Sequence, residues 1–484
     1  MGEHRIVSAR WDIEDYPGLF EQLWYGFEFD EQNATELLTP IGSTILHASN
    51  PICNAVYNAV VDSTTGAEVY KLNQYTKNLK SDGITPSVLT GADGDVIAVS
   101  PQFYLRYERD GTINRYKLST YPLAGFTLIK SKRLACYNMY IDGDGKARSI
   151  SGVTPTTNKY SSECRDAARL KNASSDRWSS MLLDQWQIFI LLGMLKTKAF
   201  NFQRTVGDGA VNTRSTDWDA YNSNYPVILT GICNHLGAAT TYVPNIIPLF
   251  KGVVTTASAT DRCIVAGRFK KGSDGTYAIG RVDGAYPCVG MTIKNVTQGT
   301  QTTIKAWVSD NEVSVNATGM FNTVGDIIEC PMLAEQVMLF GIEGLWGHVW
   351  NDVQNVLCNY VTESGVNYQR LYICGDENGW NCNPALTADT ITSDYRYKGE
   401  LPLASGYIRS LLPGLLLPAT TTGGGATTYM CDYHYAAAAN AGARGVRVGG
   451  NLSYGSLVGP LFAHCDSAPN KRYPFFAARL GLTL

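Results

Sequence analysis

From Arg444 to Leu484 the chain is a glycine-punctuated β pattern that mixes Tyr, Phe, Ser, Asn, His, Asp and Arg without helical or strand periodicity. A segment of that kind folds as short strands joined by tight loops, because glycine and the small polar residues repeatedly interrupt the apolar runs. The same mixture has a second property. Tyr and Phe supply contact area at low entropic cost, while Ser, Asn and Gly supply adaptable hydrogen bonding, so the segment reads as a recognition surface carried on short strands.

The rest of the composition narrows the function classes. With 484 residues the chain is long enough for about two or three domains. A formal net charge of −3, with no Lys/Arg cluster, gives no footprint for nucleic acid. The most apolar region, Met181 to Leu195, is broken by Asp184 and Gln185, so no membrane insertion is expected. The N-terminus, Met1 to Ile6, lacks an apolar stretch, and Ile6 stands where a myristoylation signal requires Ser or Thr; no secretory route is expected. Charged residues make up 17%, below the roughly 25% of ordinary domains, and 28 tyrosines suit a β-rich, loop-rich body with large contact surfaces.

Twelve cysteines show no C-x-x-C pair, the closest two being Cys374 and Cys382, and they read as buried small hydrophobes. The histidines, at 4, 47, 235, 348, 434 and 464, have no spacing that places two ligands on one element, so neither metal nor cofactor is expected. His348 beside Trp346 reads as a hydrogen-bonded core or groove residue. Asp142-Gly143-Asp144-Gly145-Lys146 imitates the start of a calcium loop, but Lys146 occupies a ligand position and Val153 stands where the closing Glu belongs, which makes it a plain turn.

Along the chain, Ala55–Val61 and Ala67–Leu72 form an expected hairpin across an Asp-Ser-Thr-Thr-Gly turn, and 101–108 alternates as an edge strand would. Helices are predicted over 161–170 and 178–199, the second being the main core helix. From Thr240 to Pro331, β-branched alternation with glycine turns marks an inserted β-rich segment, and 420–428 is a Thr/Gly loop. The expected organisation is a small N-terminal β region over 1–98 and one domain over 99–484, interrupted by 240–331 and ending in the recognition segment 444–484. The expected fold class is α+β.

Two segments carry a family resemblance. Gly341-Ile342-Glu343-Gly344-Leu345-Trp346-Gly347-His348-Val349-Trp350, and Arg447-Val448-Gly449-Gly450-Asn451 leading to Ala477-Ala478-Arg479-Leu480, resemble the C-type lectin fold of the formylglycine-generating-enzyme type. The variable proteins of diversity-generating retroelements share that fold, and phages use them as tail-tip receptor binders. The stretches 82–91, Phe103-Tyr104 and 149–158 resemble the phage branch. On this resemblance Gly449, Gly450, Trp346 and Trp350 are scaffold; the glycines permit close backbone approach, and the two tryptophans, four apart, share one face.

The resemblance also implies which residues vary. Diversification acts on template adenines, often in Asn codons, and reaches every residue type except Trp, Met, Gln, Glu and Lys. Between Asn451 and Phe476 only Lys471 falls outside that set. The expected ligand-binding residues are Ser453, Tyr454, Leu457, Phe462, His464, Asp466, Ser467, Arg472, Tyr473 and Phe475, with Cys431 to Tyr435 flanking them.

The resemblance therefore implies a phage or prophage receptor-binding adhesin at a tail tip or fibre, made in the bacterial host cytoplasm. It would be a homotrimer engaging a host cell-surface receptor, protein or glycan, and phage tail or baseplate proteins. One alternative is a structural tail or decoration protein whose terminal segment packs against partner subunits. Another is a cysteine-dependent oxidase of the same fold. Such oxidases need a reactive cysteine pair after the Gly-Gly-Ser-like segment, where this chain has Leu452, Ser453 and Tyr454, and Cys465 has no neighbour in sequence. No G-x-S-x-G elbow or P-loop is present either, so enzymatic activity is not expected.

Overall fold

The computed structural model describes residues 17–74, 77–153, 155–207, 246–265, 292–309, 311–333, 337–375, 394–436, 442–451, 454, 457–473 and 475–483. It is 42% strand and 12% helix, which corrects the α+β expectation to a β-rich architecture. The reason is visible in the run lengths: most apolar runs end at a glycine or turn within a few residues, and only one is both long and apolar all round.

That run is the helix Leu183–Thr197, in which residues on every side from Trp186 to Leu195 are buried. It ends where Lys198 adopts a left-handed conformation. The helix is shorter than the predicted 178–199. Trp178–Ser180 is instead a strand, captured by Leu480–Leu482 in antiparallel register. The helix predicted over 161–170 forms over Ser161–Arg169, with the Glu163 side chain accepting from the Tyr160 amide at 2.8 Å to cap its first turn. No helix among the described residues is long and apolar enough to cross a membrane.

Three sheets make the body. The first is five-stranded, in the order 39–42, 25–30, 113–119, 103–110, 127–129. Strand Phe103–Asp110 therefore lies inside a sheet rather than at its edge, paired with 113–119 through the Gly111 turn and with 127–129 on its other side. The second sheet runs 178–180, 480–482, 133–135, 95–99, 57–61, 68–71. The expected hairpin is present in it as Tyr57–Val61 and Glu68–Lys71. This sheet joins the expected N-terminal region to the C-terminus, so residues 1–98 do not stand apart: Tyr57–Val61 pairs with Asp95–Val99, which pairs with Arg133–Ala135, which pairs with the last strand.

The third sheet, eight-stranded, positions the recognition segment. Its order is 395–401, 366–374, 350–363, 442–448, 463–464, 433–435, 406–407, with Phe476–Ala477 parallel to Trp350–Asn351. Within the segment expected as an insertion, strands 246–256, 262–265, 312–315, 300–309, 292–295 and 327–333 close into a barrel. It has its own core, including Val254, Ile293, Ile304, Val313, Phe321 and Ile328.

A buried ion pair ties the second sheet to the first helix. Lys171, 4% exposed, places its ammonium 2.5 Å from the fully buried Asp95 and donates to the Ala147 carbonyl at 2.9 Å. Asp95 also accepts from the Ser149 amide at 2.7 Å and pairs with Arg148 at 3.2 Å. Removing one partner of such a pair leaves an undercompensated charge in the core. Lys171→Met is expected to lower the unfolding free energy by roughly 2–4 kcal/mol in chemical denaturation, and an unchanged midpoint would contradict this assignment.

Candidate ligand-binding surface

The framework is built where the two quoted segments meet. Gly449 and Gly450 have φ of +89° and +68°. A Cβ on Gly449 would lie 2.2 Å from the Leu345 carbonyl oxygen. That approach lets Gly347 donate to the Gly449 carbonyl at 2.9 Å, knitting 345–347 to 449–450. His348 is buried and within 2.8 Å of the Asn138 amide nitrogen, as a hydrogen-bonded core residue would be. Trp346 and Trp350 are both fully buried, but they do not share a face, because this stretch is not helical. Trp346 packs edge-on to Phe202 and donates to the Gly207 carbonyl, whereas Trp350 starts the long strand and meets the C-terminal aromatics.

Two buried arginines fix the ends of the segment. Arg447, with no exposure, pairs through Nε with Asp352 at 2.6 Å and stacks its guanidinium 3.8 Å from the Phe476 ring centroid. Burial pushes the Asp352 carboxyl up, and the opposing pull of Arg447 and the 2.9 Å hydrogen bond from Ser161 bring it only part of the way back. Arg479 donates to the carbonyls of Ala135, Glu343 and Gly344 and to Asn138 Oδ1, at 2.6–3.1 Å.

On this base the expected binding residues divide into two groups. Arg472 and Tyr473 are exposed, while Tyr454, Leu457, Asp466 and Ser467 are half-buried. Tyr473 stacks parallel to Phe475 at 5.1 Å, and its carbonyl accepts from the Asn158 amide. Arg472 lies 5.0 Å from the Tyr160 ring. Asp466 accepts from Ser467 and is 2.9 Å from His464 Nε2. Burial alone would raise the Asp466 carboxyl, but the His464 and Ser467 hydrogen bonds and the charges of His464 and Arg447 bring it down to about 2.

Three expected binders are corrected to framework. Phe462 is 0% exposed and wedged between Trp350, at 4.6 Å, and Tyr454, at 5.4 Å. His464 and Phe475 are likewise buried, His464 between Trp350 and Phe476 and Phe475 against Phe476. Continuous burial explains it: every residue over 458–465 and 475–482 is buried, so an aromatic there packs inward whichever way it points. Ser453 lies outside the described residues, as do His4 and His235.

The flanking stretch 431–435 is half framework and half rim. Tyr433 and Tyr435 are half-buried, 5.3 Å apart, and each packs against Phe462. Asp432 is buried with its carboxylate accepting from the Leu461 amide at 2.7 Å, and burial pushes its carboxyl well above the usual range. Sequence reasoning missed Tyr160 and Tyr407, which reach this face from distant segments and carry no local signal.

Thiol chemistry finds no activated group here. Cys465 is fully buried, its thiol pushed well above the ordinary value, chiefly by burial and next by the neighbouring Cys358. A nucleophile requires the thiolate, the form that this buried setting disfavours at Cys465. The other described cysteines are also buried and free. Asp142 accepts from the amides of Asp144 and Lys146, forming the turn of the 140–148 hairpin. Among the described residues no group of three potential ligands could hold a metal ion. Compared with known protein families and with curated proteins, the chain matches none.

The segment's inner side makes a pH-dependent prediction. His434 is fully buried, its Nδ1 3.1 Å from the Ala463 carbonyl, and burial holds its imidazole down at about 4 against an ordinary 6.5. A base depressed in the fold contributes stability that is complete above 6.5 and lost as pH falls toward 4. Relative to His434→Gln, the wild type is expected to lose about 3 kcal/mol more between pH 7 and pH 4 in urea denaturation. Parallel losses in both proteins would contradict it.

Proposed function

We propose that the chain is a receptor-binding adhesin of a phage or prophage, displaying a diversified ligand-binding surface on a scaffold of the lectin type. The observation that carries the reading is the division within 454–475. Tyr454, Leu457, Asp466, Ser467, Arg472 and Tyr473 reach solvent, and the two aromatics among them rest on buried rings, Tyr454 on Trp350 and Tyr473 on Phe475. Rigid aromatic anchors beside adaptable polar groups are what a binding surface needs, and a fixed base lets the rim change without refolding. The receptor is a cell-surface protein or glycan of the host, reached from a tail tip or fibre in a virion. Assembly as a homotrimer with tail or baseplate proteins would multiply weak single sites.

Population sequencing of the 3′ coding segment and its flanking DNA tests this. The expected result is a nearby reverse transcriptase gene, a near-copy of the segment differing at adenines, and substitutions concentrated at Tyr454, Leu457, Asp466, Ser467, Arg472 and Tyr473. Phe462, His464 and Phe475 should be constant despite lying in the same window. Uniform constancy across 451–476, with no near-copy, would remove diversification from the account.

A further inference from the structure

A second cleft lies outside the C-terminal segment. It has a volume of about 360 Å³ and is lined by residues of 53–58, 73–77 and 338–343 together with Lys196. Its floor is immobilised by an unusual set of contacts. Asn58 donates to the Phe340 carbonyl at 2.8 Å, and a Cβ on Gly341 would fall 1.7 Å from Asn58 Oδ1. Lys77 is spent on the floor as well, donating to the Gly341 carbonyl at 2.9 Å and pairing with the buried Glu343 at 2.5 Å.

The walls differ in character from the floor. Phe340 has φ +53°, a left-handed conformation that is strained for an aromatic residue and concentrates at ligand sites. Its half-buried ring is a wall of the cleft, with the Lys196 ammonium 5.1 Å from the centroid. Lys196 is exposed on the main helix and has no carboxylate partner among the described residues. Asn54 and Gln74 bring amides to the rim, the Asn54 NH2 donating to the Ser49 carbonyl at 2.8 Å and its Oδ1 remaining as an acceptor. An apolar ring, rim amides and an exposed ammonium with no carboxylate partner among the described residues are complementary to a sugar ring with hydroxyls and a carboxylate.

We propose that this cleft binds an acidic saccharide unit, its carboxylate at Lys196, its apolar ring face on Phe340 and its hydroxyls on Asn54 Oδ1 and the Gln74 amide. The site is built from residues outside 444–484, so it stays the same whatever sequence the C-terminal rim carries. It gives the protein a fixed contact to charged surface glycan beside a variable one. Its failure would leave the reading of the rim untouched.

The test is a titration of the full chain with methyl β-D-glucuronide and with methyl β-D-glucoside, read by saturation-transfer NMR and calorimetry. The glucuronide is expected to bind with a dissociation constant on the order of 1 mM and the neutral glucoside roughly tenfold more weakly. Lys196→Gln, an exposed helix position, should bring the glucuronide to the level of the glucoside, and Asn54→Ala should weaken both sugars. No glucuronide binding, equal binding of the two sugars, or an unchanged affinity in Lys196→Gln would overturn the proposal, and indifference of both sugars to Asn54→Ala would overturn the amide contacts.

Discussion

The buried Arg447–Asp352 ion pair is the interaction on which the rest of the recognition segment depends. A guanidinium with no exposure is tolerable only when its charge is met, and here a carboxylate at 2.6 Å and the face of Phe476 meet it. Because Asp352 also accepts from Ser161, the pair joins three elements: the strand that begins at Trp350, the strand 442–448 and the helix 161–169. Arg479 repeats the device two strands later, gripping the 343–344 turn by its carbonyls. Beyond Arg479 the chain enters the second sheet between Trp178–Ser180 and Arg133–Ala135, so its end is fixed by backbone pairing on both sides.

That anchoring explains how one short segment can hold both a core and a solvent-facing side. Phe462, Cys465, Phe475 and Phe476 point into a body already crowded by Trp350 and Leu461, where removing a large side chain leaves a cavity. Asp466, Ser467, Arg472 and Tyr473 sit on the other side, where substitutions cost little because few groups depend on them. The aromatic base also restricts the exposed side, since Tyr473 is held by stacking on Phe475.

Much of the local structure was legible in the sequence, and the reasons are specific. The Asp62–Gly66 turn between β-branched runs marked the 57–71 hairpin, and the capping-type residues Ser161 to Glu163 marked the start of a helix. The close approach at Gly449 was readable from the glycine pair. What failed needed long-range pairing. Trp178–Ser180 has helical neighbours in sequence but is claimed by Leu480–Leu482, 300 or more residues further along the chain. Phe103–Asp110 alternates like an edge strand yet is flanked on both sides. The α+β expectation gave the two helices too much weight, since helical periodicity is conspicuous and short glycine-broken strands are not. Composition placed Phe462, His464 and Phe475 with the binders because an aromatic in a Gly-rich segment has the same local signature on either face.

The most direct measurement is saturation mutagenesis of positions 454–476 in the full chain, scored by protease resistance of the folded protein. The account predicts broad tolerance at Asp466, Ser467, Arg472 and Tyr473, and loss of resistance for nearly every non-aromatic replacement at Phe462, Phe475 and Phe476. Equal intolerance across the whole window, rim included, would contradict it, because the exposed side chains would then be part of what holds the fold together.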